Sequence, residues 1–334
     1  MSGPVRWGVL GVAKIAVEKV IPAMQKGALC EIAAIASRDS ARAQAAAQAL
    51  GIPRAYGSYE ELLADPEIEA IYNPLPNELH VPWTEKALAA GKHVLCEKPI
   101  ALDAEEARRL IAARESSGKL VAEAFMVRFH PQWRRAREIV RCGAIGEVGA
   151  IQTLFTYRLL DADNVRNRPP GGGGLYDIGC YAILTARYIF GAEPLRVAAG
   201  LDLDPKFGTD RLASAILEFP GGRHLTFTAA TQLAGAQRVV IAGTAGRIEV
   251  KIPFNAPPDL SAEIVIDSGA DLVGGGARSE SFAPCDQYTL QGDAFARAVR
   301  GEAAPEFGVE DAIANMRAID ACFRAAKSGR WESV

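Results

Sequence analysis

Lys98, Asp177 and Tyr181 are the residues of this chain whose types and neighbours suit proton chemistry. Lys98 closes the run Val94-Leu95-Cys96-Glu97-Lys98-Pro99, an apolar stretch that ends in two charges and a proline. Such a run reads as a buried strand, and the proline disfavours helix for the residue before it. A lysine at the carboxyl end of a buried strand can enter the crevice where open α/β sheets bind ligands. The plainer reading is a strand-ending lysine that points into water. Asp177 and Tyr181 follow Gly171-Gly172-Gly173-Gly174, in a helix expected over residues 175–190. Their spacing of four places both on one helical face. The glycines would let backbone approach a ligand closely. Alternatively the run is a hinge before a core helix, with Asp177 capping and Tyr181 packed.

The elements that must position these residues come first in the chain. Trp7-Gly8-Val9-Leu10-Gly11 reads as a short strand, and residues 12–24 as a helix. Between them Gly11-Val12-Ala13-Lys14-Ile15-Ala16 has the form G-x-A-x-x-A, a variant of the dinucleotide fingerprint. Gly11 can make the tight turn, and Ala13 and Ala16 are small enough for pyrophosphate and for helix–strand packing. Amides at the helix start, around Lys14 and Ile15, would meet the phosphates. Any strand–turn–helix that needs small residues would look the same. The second strand, Glu31–Ala36, ends in Ser37-Arg38 where an NAD site carries an acid for the ribose 2′-hydroxyl. A hydroxyl and a guanidinium suit a 2′-phosphate, which favours NADP and leaves NAD possible. Asp39 could cap the next helix or contact ribose. A later strand from Ala70 is broken by Pro74 and Pro76, which places Asn77 and His80 on the ligand side of the sheet. Strands and helices alternate as βαβαβαβαβ over about 125 residues, which argues for a parallel, doubly wound sheet.

The texture changes after Met126. Several runs alternate or are rich in β-branched residues: 150–157, 195–203, 213–219, 224–230, 237–243 and 246–252. They suggest a mainly antiparallel open sheet. Residues 255–285, rich in Gly, Ala, Ser, Pro and Asp, read as loop, and helices are expected over 291–299 and 310–327. The expected domains are 1–124, binding NAD(P), and 125–334, for substrate binding and oligomerisation. Asn164 and Arg166, just before the glycine run, are candidate substrate contacts, and Arg128 could reach cofactor or substrate.

Composition limits the function. The 334 residues carry a net charge of -3, with 49% hydrophobic and 23% charged residues, which gives no reason to expect nucleic acid or an anionic membrane. No apolar run reaches the ~18 residues a bilayer span needs, and the N-terminus lacks the apolar core of a leader. Six scattered cysteines and four dispersed histidines fit reduced thiols in a cytoplasm, with no metal site.

Taken in order, the turn Gly11–Ala16, the segment Cys96-Glu97-Lys98-Pro99 and the segment Gly173-Gly174-Leu175-Tyr176-Asp177-Ile178-Gly179-Cys180-Tyr181 resemble the glucose–fructose oxidoreductase / inositol dehydrogenase / MocA family across essentially the whole chain. Glu97-Lys98-Pro99 is similar to that family's lysine signature, and Tyr72–His80, with Pro76, Asn77 and His80, to its cofactor-side loop. The resemblance implies a Rossmann domain, a C-terminal α/β domain with a large open sheet, and homodimers or homotetramers built sheet to sheet. It adds Glu97 and Lys98 to the expected cofactor contacts. Tyrosine at 181 is most similar to the sugar and dihydrodiol dehydrogenase branches. The implied activity is hydride transfer between NADP and a sugar or cyclic polyol at the anomeric carbon. Reduction of a keto-sugar or dicarbonyl is the alternative within enzymes, and a non-catalytic dinucleotide sensor the alternative outside them. Tyr181 would exchange the hydroxyl proton, the Lys98 ammonium would lower its pKa from about 10, and Asp177 would bond substrate or orient Lys98.

Overall fold

The computed structural model describes residues 3–334. Met1 and Ser2, part of the stretch considered as a leader, lie outside the described residues. The chain forms two compact units: one runs to Met126 and takes in Gln287–Met316, and the other comprises Val127–Asp286 and Arg317–Val334. A single boundary after residue 124 would leave Gln287–Met316 with the second domain, whereas it packs in the first unit.

The first unit is built on six parallel strands: β1 (Val5–Leu10), β2 (Cys30–Ala36), β3 (Arg54–Tyr56), β4 (Ala70–Asn73), β5 (His93–Cys96) and β6 (Val121–Glu123). Their order is β3-β2-β1-β4-β5-β6, the doubly wound arrangement the sequence led us to expect. The β1, β2 and β4 runs are apolar on both faces because helices cover both, as a parallel sheet requires. The chain order reverses between β1 and β4, the switch point outside which ligands bind. Gly11 leaves β1, Asn73 ends β4, and Glu97-Lys98 leaves β5, all at the carboxyl edge of this sheet. The helix Gln287–Val299 covers part of one face, and its Phe295 ring lies 5.4 Å from that of Trp7. Burying such an aromatic contributes about 1.5–3 kcal/mol, so the return of this helix is part of the unit's core.

The helix expected over 12–24 is not a uniform α-helix. Its residues Ala16–Val20 form a π turn before Ile21–Met24. Pro22 has no N–H to offer the Glu18 carbonyl, and the wide turn sits where that bond is missing.

The second unit holds a nine-stranded sheet: β7 (Val148–Arg158), β8 (Arg196–Leu203), β9 (Asp210–Phe219), β10 (Arg223–Ala230), β11 (Gln232–Gly243), β12 (Gly246–Val250), β13 (Ala262–Asp267), β14 (Ala277–Phe282) and β15 (Glu332–Ser333). The order is β14-β13-β12-β11-β7-β10-β9-β8-β15, antiparallel except where β10 runs parallel to β7. The loop expected over 255–285 contains the edge hairpin β13–β14. Ala262, Ile264 and Ile266 alternate inward there, a period-two signal diluted by the polar residues around it. One face of the sheet packs on the helix Cys180–Phe190, buried at ten of its eleven positions. The other face is open, and Gln152, Leu154, Ile216, Thr226, Thr228 and Arg238 line a shallow depression on it. Among the described residues, no helix is long and apolar enough to cross a membrane, and no group of His, Cys, Asp and Glu is placed to hold a metal ion.

Candidate active site

In the first unit the fingerprint turn is shaped by Gly11, whose φ of +86° belongs to the left-handed region. A Cβ there would meet Leu75 Cδ2 at 3.0 Å and the Tyr59 hydroxyl at 3.4 Å. The Gly11 amide donates to Ala36 O at 2.8 Å and ties the turn to the end of β2. Ala13 and Ile15 are half-buried, and Lys14 is exposed with its ammonium 3.9 Å from Glu18. No side chain caps the start of this helix, whereas Asp39, Ser58 and Asp103 cap the three helices Ser40–Leu50, Tyr59–Ala64 and Ala104–Ser117. A left-handed glycine whose Cβ would press on Leu75, followed by uncapped helical amides, fits a dinucleotide pyrophosphate.

At the end of β2 Ser37 is buried and Arg38 exposed. Asp39 is turned to its own helix, where its Oδ1 accepts from Ala41 N at 3.0 Å and Arg42 N at 3.2 Å. Of its two expected roles the structure therefore shows the cap. Arg42, which the sequence did not single out, reaches back to the fingerprint, its Nη2 lying 3.4 Å from Val12 O.

His80 departs from expectation. It is 1% exposed, with Nδ1 2.7 Å from Pro99 O and Nε2 2.7 Å from Leu75 O. Both nitrogens face backbone carbonyls, and the one that carries the proton of the neutral ring donates, so the buried ring braces the loops after β4 and β5 with neither nitrogen turned to solvent. Those contacts favour a protonated ring, but full burial outweighs them and pushes the pKa down to about 4. Asn73 works beside it: its Nδ2 donates to His80 O and Thr84 Oγ1 at 3.1 and 3.2 Å, and its Oδ1 accepts from Leu75 N at 3.3 Å. Pro76 and Asn77 remain half-buried where this loop opens. Glu97 is anchored by the buried Tyr72 hydroxyl, which donates to Oε1 at 2.6 Å, and its Oε2 accepts from Lys98 N at 3.3 Å. Lys98 is half-buried beside them.

In the second unit Arg166, Asp177 and Tyr157 converge. Arg166 Nε donates to Asp177 Oδ1 at 3.1 Å, and the Tyr157 hydroxyl donates to Asp177 Oδ2 at 2.5 Å. The Asp177 side chain is only 14% exposed. Tyr157 stands near the end of β7 and was not foreseen; alternation along that strand could have put it on the helix-covered face. Burial first, then the Asp177 charge, raises the Tyr157 pKa. The Asn164 side chain caps the 3-10 turn Val165–Asn167, its Oδ1 accepting from Arg166 N at 3.1 Å. Tyr181 follows on the helix Cys180–Phe190, its ring packed against Phe155 and Phe254 at centroid distances of 6.1 and 5.5 Å. Asp177 lies in the π turn Leu175–Gly179 that precedes this helix, and such turns are frequent at functional sites. Arg128 is buried on the 3-10 turn Met126–Phe129.

A parallel sheet of this order, with that fingerprint at its switch point, defines an NAD(P)-binding oxidoreductase domain. Comparison with known proteins agrees. Residues 5–125 match an oxidoreductase family with an NAD-binding Rossmann fold, and residues 133–249 match the C-terminal domain of the same Gfo/Idh/MocA family. An uncharacterized oxidoreductase, ORF334 of Rhizobium meliloti, is 52% identical over 331 residues, 99% of each chain. A D-xylose 1-dehydrogenase (NADP(+)) of Haloferax volcanii is 41% identical over 325 residues, 97% of this chain and 98% of that one. Among solved structures, KijD10, a 3-ketoreductase from Actinomadura kijaniata in complex with NADP and TDP-benzene, superposes with a TM-score of 0.90 at 31% identity, covering 97% of this chain and 98% of that one. The chain belongs to the Gfo/Idh/MocA oxidoreductase family, and its cofactor is a nicotinamide dinucleotide.

Proposed function

We propose that this enzyme prefers NADP and transfers hydride between the nicotinamide and a C–OH group of a sugar or cyclic polyol, at the anomeric carbon. The Arg166–Asp177–Tyr157 cluster, one helical turn before Tyr181, carries this reading. Asp177 is held from both sides, so its position is fixed before substrate arrives, and it is suited to orienting a hydroxyl. When bound, the nicotinamide supplies the hydride acceptor or donor. Gly11, Ala13, Lys14 and Ile15 offer backbone to the pyrophosphate, while Pro76, Asn77, Glu97 and Lys98 line the loops after β4 and β5. Tyr181 carries the hydroxyl proton, and Lys98, just past the end of β5, is the second residue assigned to proton chemistry. Arg166 and Asp177 contact substrate; Asn164 holds the turn beneath Arg166, and Arg128 is a further candidate.

The preference for NADP rests on Ser37, Arg38 and Arg42 around the end of β2, with Asp39 committed to its helix. A 2′-phosphate would find the guanidinium groups of Arg38 and Arg42 there, with the Asp39 carboxylate engaged by the amides of its own helix. Reduction of a keto-sugar is the second reading, favoured by the likeness to a 3-ketoreductase over nearly the whole chain. The open face of the nine-stranded sheet, with Leu154 39% and Ile216 43% exposed, is the proposed contact between copies in a homodimer or homotetramer.

A panel of aldoses, keto-sugars and cyclic polyols, followed by nicotinamide absorbance with NADP and with NAD, tests the assignment. Turnover of an aldose with NADP is expected, and no turnover of any member with either cofactor would overturn it. Tyr181→Phe should then lower kcat by at least about 10²-fold, as loss of a proton-transfer group does. Near-normal kcat would remove Tyr181 from that role.

A further inference from the structure

Asp210 opens β9 and is 3% exposed. Its Oδ2 accepts from Leu175 N at 2.7 Å, and the Gly174 amide also bonds the carboxylate. Gly173 has φ +115°, and a Cβ there would lie 2.0 Å from Asp210 Oδ1. A Cβ on Gly172 would lie 2.5 Å from Arg168 O and 2.7 Å from Arg166 O. The glycines are therefore small because a carboxylate and a turn occupy the space that side chains would take. The seated backbone continues directly into the cluster: Gly173 N donates to Arg166 O at 2.8 Å, and Asp177 N donates to Gly173 O at 3.0 Å.

We propose that Asp210 is a positioning residue of the substrate half: by capping the Gly174 and Leu175 amides it seats the glycine run and so sets where Arg166 and Asp177 meet. The inference rests on the proposed role of Asp177 in orienting substrate. The Asp177 charge in the π turn acts on Asp210, Asp210 acts on Tyr157 of β7, Arg166 acts through Asp177, and on β8 the residue paired with Asp210 is the uncharged Leu203. On the neighbouring β10, Ala229 and Ala230 stand at this end of the sheet and bring no charge. Arg211, next on β9, turns to Asp202 at 2.7 Å. Burial first, with the Asp177 charge adding to it, outweighs the amide bonds and pushes the Asp210 pKa up to about 7. The charged cap therefore weakens as pH falls through that value.

Two variants and the wild type test this. Asp210→Asn keeps the shape and removes the charge, and Gly173→Ala drives a Cβ into the carboxylate. Amide hydrogen exchange at Gly174 and Leu175 needs no substrate and should be at least about tenfold faster in each variant, the loss of a charge-assisted bond. The KM for sugar should rise by about tenfold while NADPH affinity stays within about twofold, because the cofactor half is untouched. In Asp210→Asn the limb of kcat/KM near neutral pH should vanish, which a merely structural contact would not produce. Unchanged exchange at both amides, or an unchanged pH limb and KM in Asp210→Asn, overturns the proposal. If Gly173→Ala does not fold, Asp210→Asn and a pH series of wild-type exchange across neutrality decide alone. If wild type turns over no sugar, the proposed function falls, while the exchange measurement still decides for or against Asp210.

Discussion

Tyr157→Phe removes one oxygen from the centre of the Arg166–Asp177–Tyr157 cluster and leaves the ring. That oxygen donates to Asp177 Oδ2 at 2.5 Å. Because burial and the Asp177 charge raise its pKa, the hydroxyl keeps its proton at any working pH and acts as the donor. A hydrogen bond to a charged group contributes about 1.5–3 kcal/mol, roughly 10- to 150-fold in an equilibrium. Arg166 also holds Asp177, through Nε at 3.1 Å, but its side chain is 42% exposed and solvent screens that contact. Loss of the Tyr157 bond therefore takes from Asp177 its contact with a half-buried hydroxyl and leaves the solvent-screened contact with Arg166. Steady-state kinetics with the best sugar should show kcat/KM lowered by about 10- to 100-fold, with NADPH affinity by fluorescence titration unchanged. The melting midpoint should fall by several degrees, in proportion to the lost bond. A kcat/KM within about twofold of wild type, together with an unshifted midpoint, would refute the claim that Tyr157 fixes Asp177.

Arg38→Ala should weaken NADP by roughly 10- to 150-fold and NAD far less, since one charge-assisted phosphate contact is lost; equal losses in titrations with both cofactors would contradict the assignment. Arg300 grips Glu69 through Nη1 at 2.6 Å and Nη2 at 2.9 Å, and also donates to Gly3 O and Pro4 O. Arg300→Ala should cost about 1–2 kcal/mol in urea unfolding at neutral pH. Arg300 is the largest cause of the lowered Glu69 pKa, so this stability is present above the unfolded carboxylate pKa and lost as pH falls below it. Wild type and variant should converge in acid, and a constant gap would count against the pair. His80, His93 and His130 are each pushed down to about 4, by burial first. Their folded values lie below the unfolded 6.5, so the unfolded chain binds more protons and stability is lost as pH falls from 6.5 towards 4. Asp210, raised from 3.8 to about 7, acts with the opposite sign over most of that window, but it is one group against three. The melting midpoint should drop across the window, and a flat or rising one would show that these histidines are not buried as described.

The parallel sheet was legible because its signal is local and repeated: β1, β2 and β4 are apolar on both faces, and helices with caps such as Asp39 and Asp103 separate the strands. Gln287–Val299 has an equally clear helical pattern, yet no periodicity states which core Phe295 will enter, and it joins Trp7. The same limit governs the site. Lys98 and Asp177 stand out by type and by the segments around them. Their partners do not: Tyr157 is twenty residues from Asp177 and Asp210 is thirty-five from Leu175. His80 looked like a ligand-side histidine, because a polar ring at a sheet edge reads the same whether it meets a cofactor or two backbone carbonyls. The glycine run is the clearest instance. Read locally, four glycines mean freedom; in the fold, Gly173 is confined against a carboxylate and its φ of +115° is held by bonds on either side. A glycine permits a conformation, and the neighbour that fills the space of its missing Cβ decides whether that permission becomes motion or rigidity. Here the filling groups are the carboxylate of Asp210 and the carbonyls of Arg166 and Arg168, so the segment that presents Asp177 is set by packing before any ligand arrives.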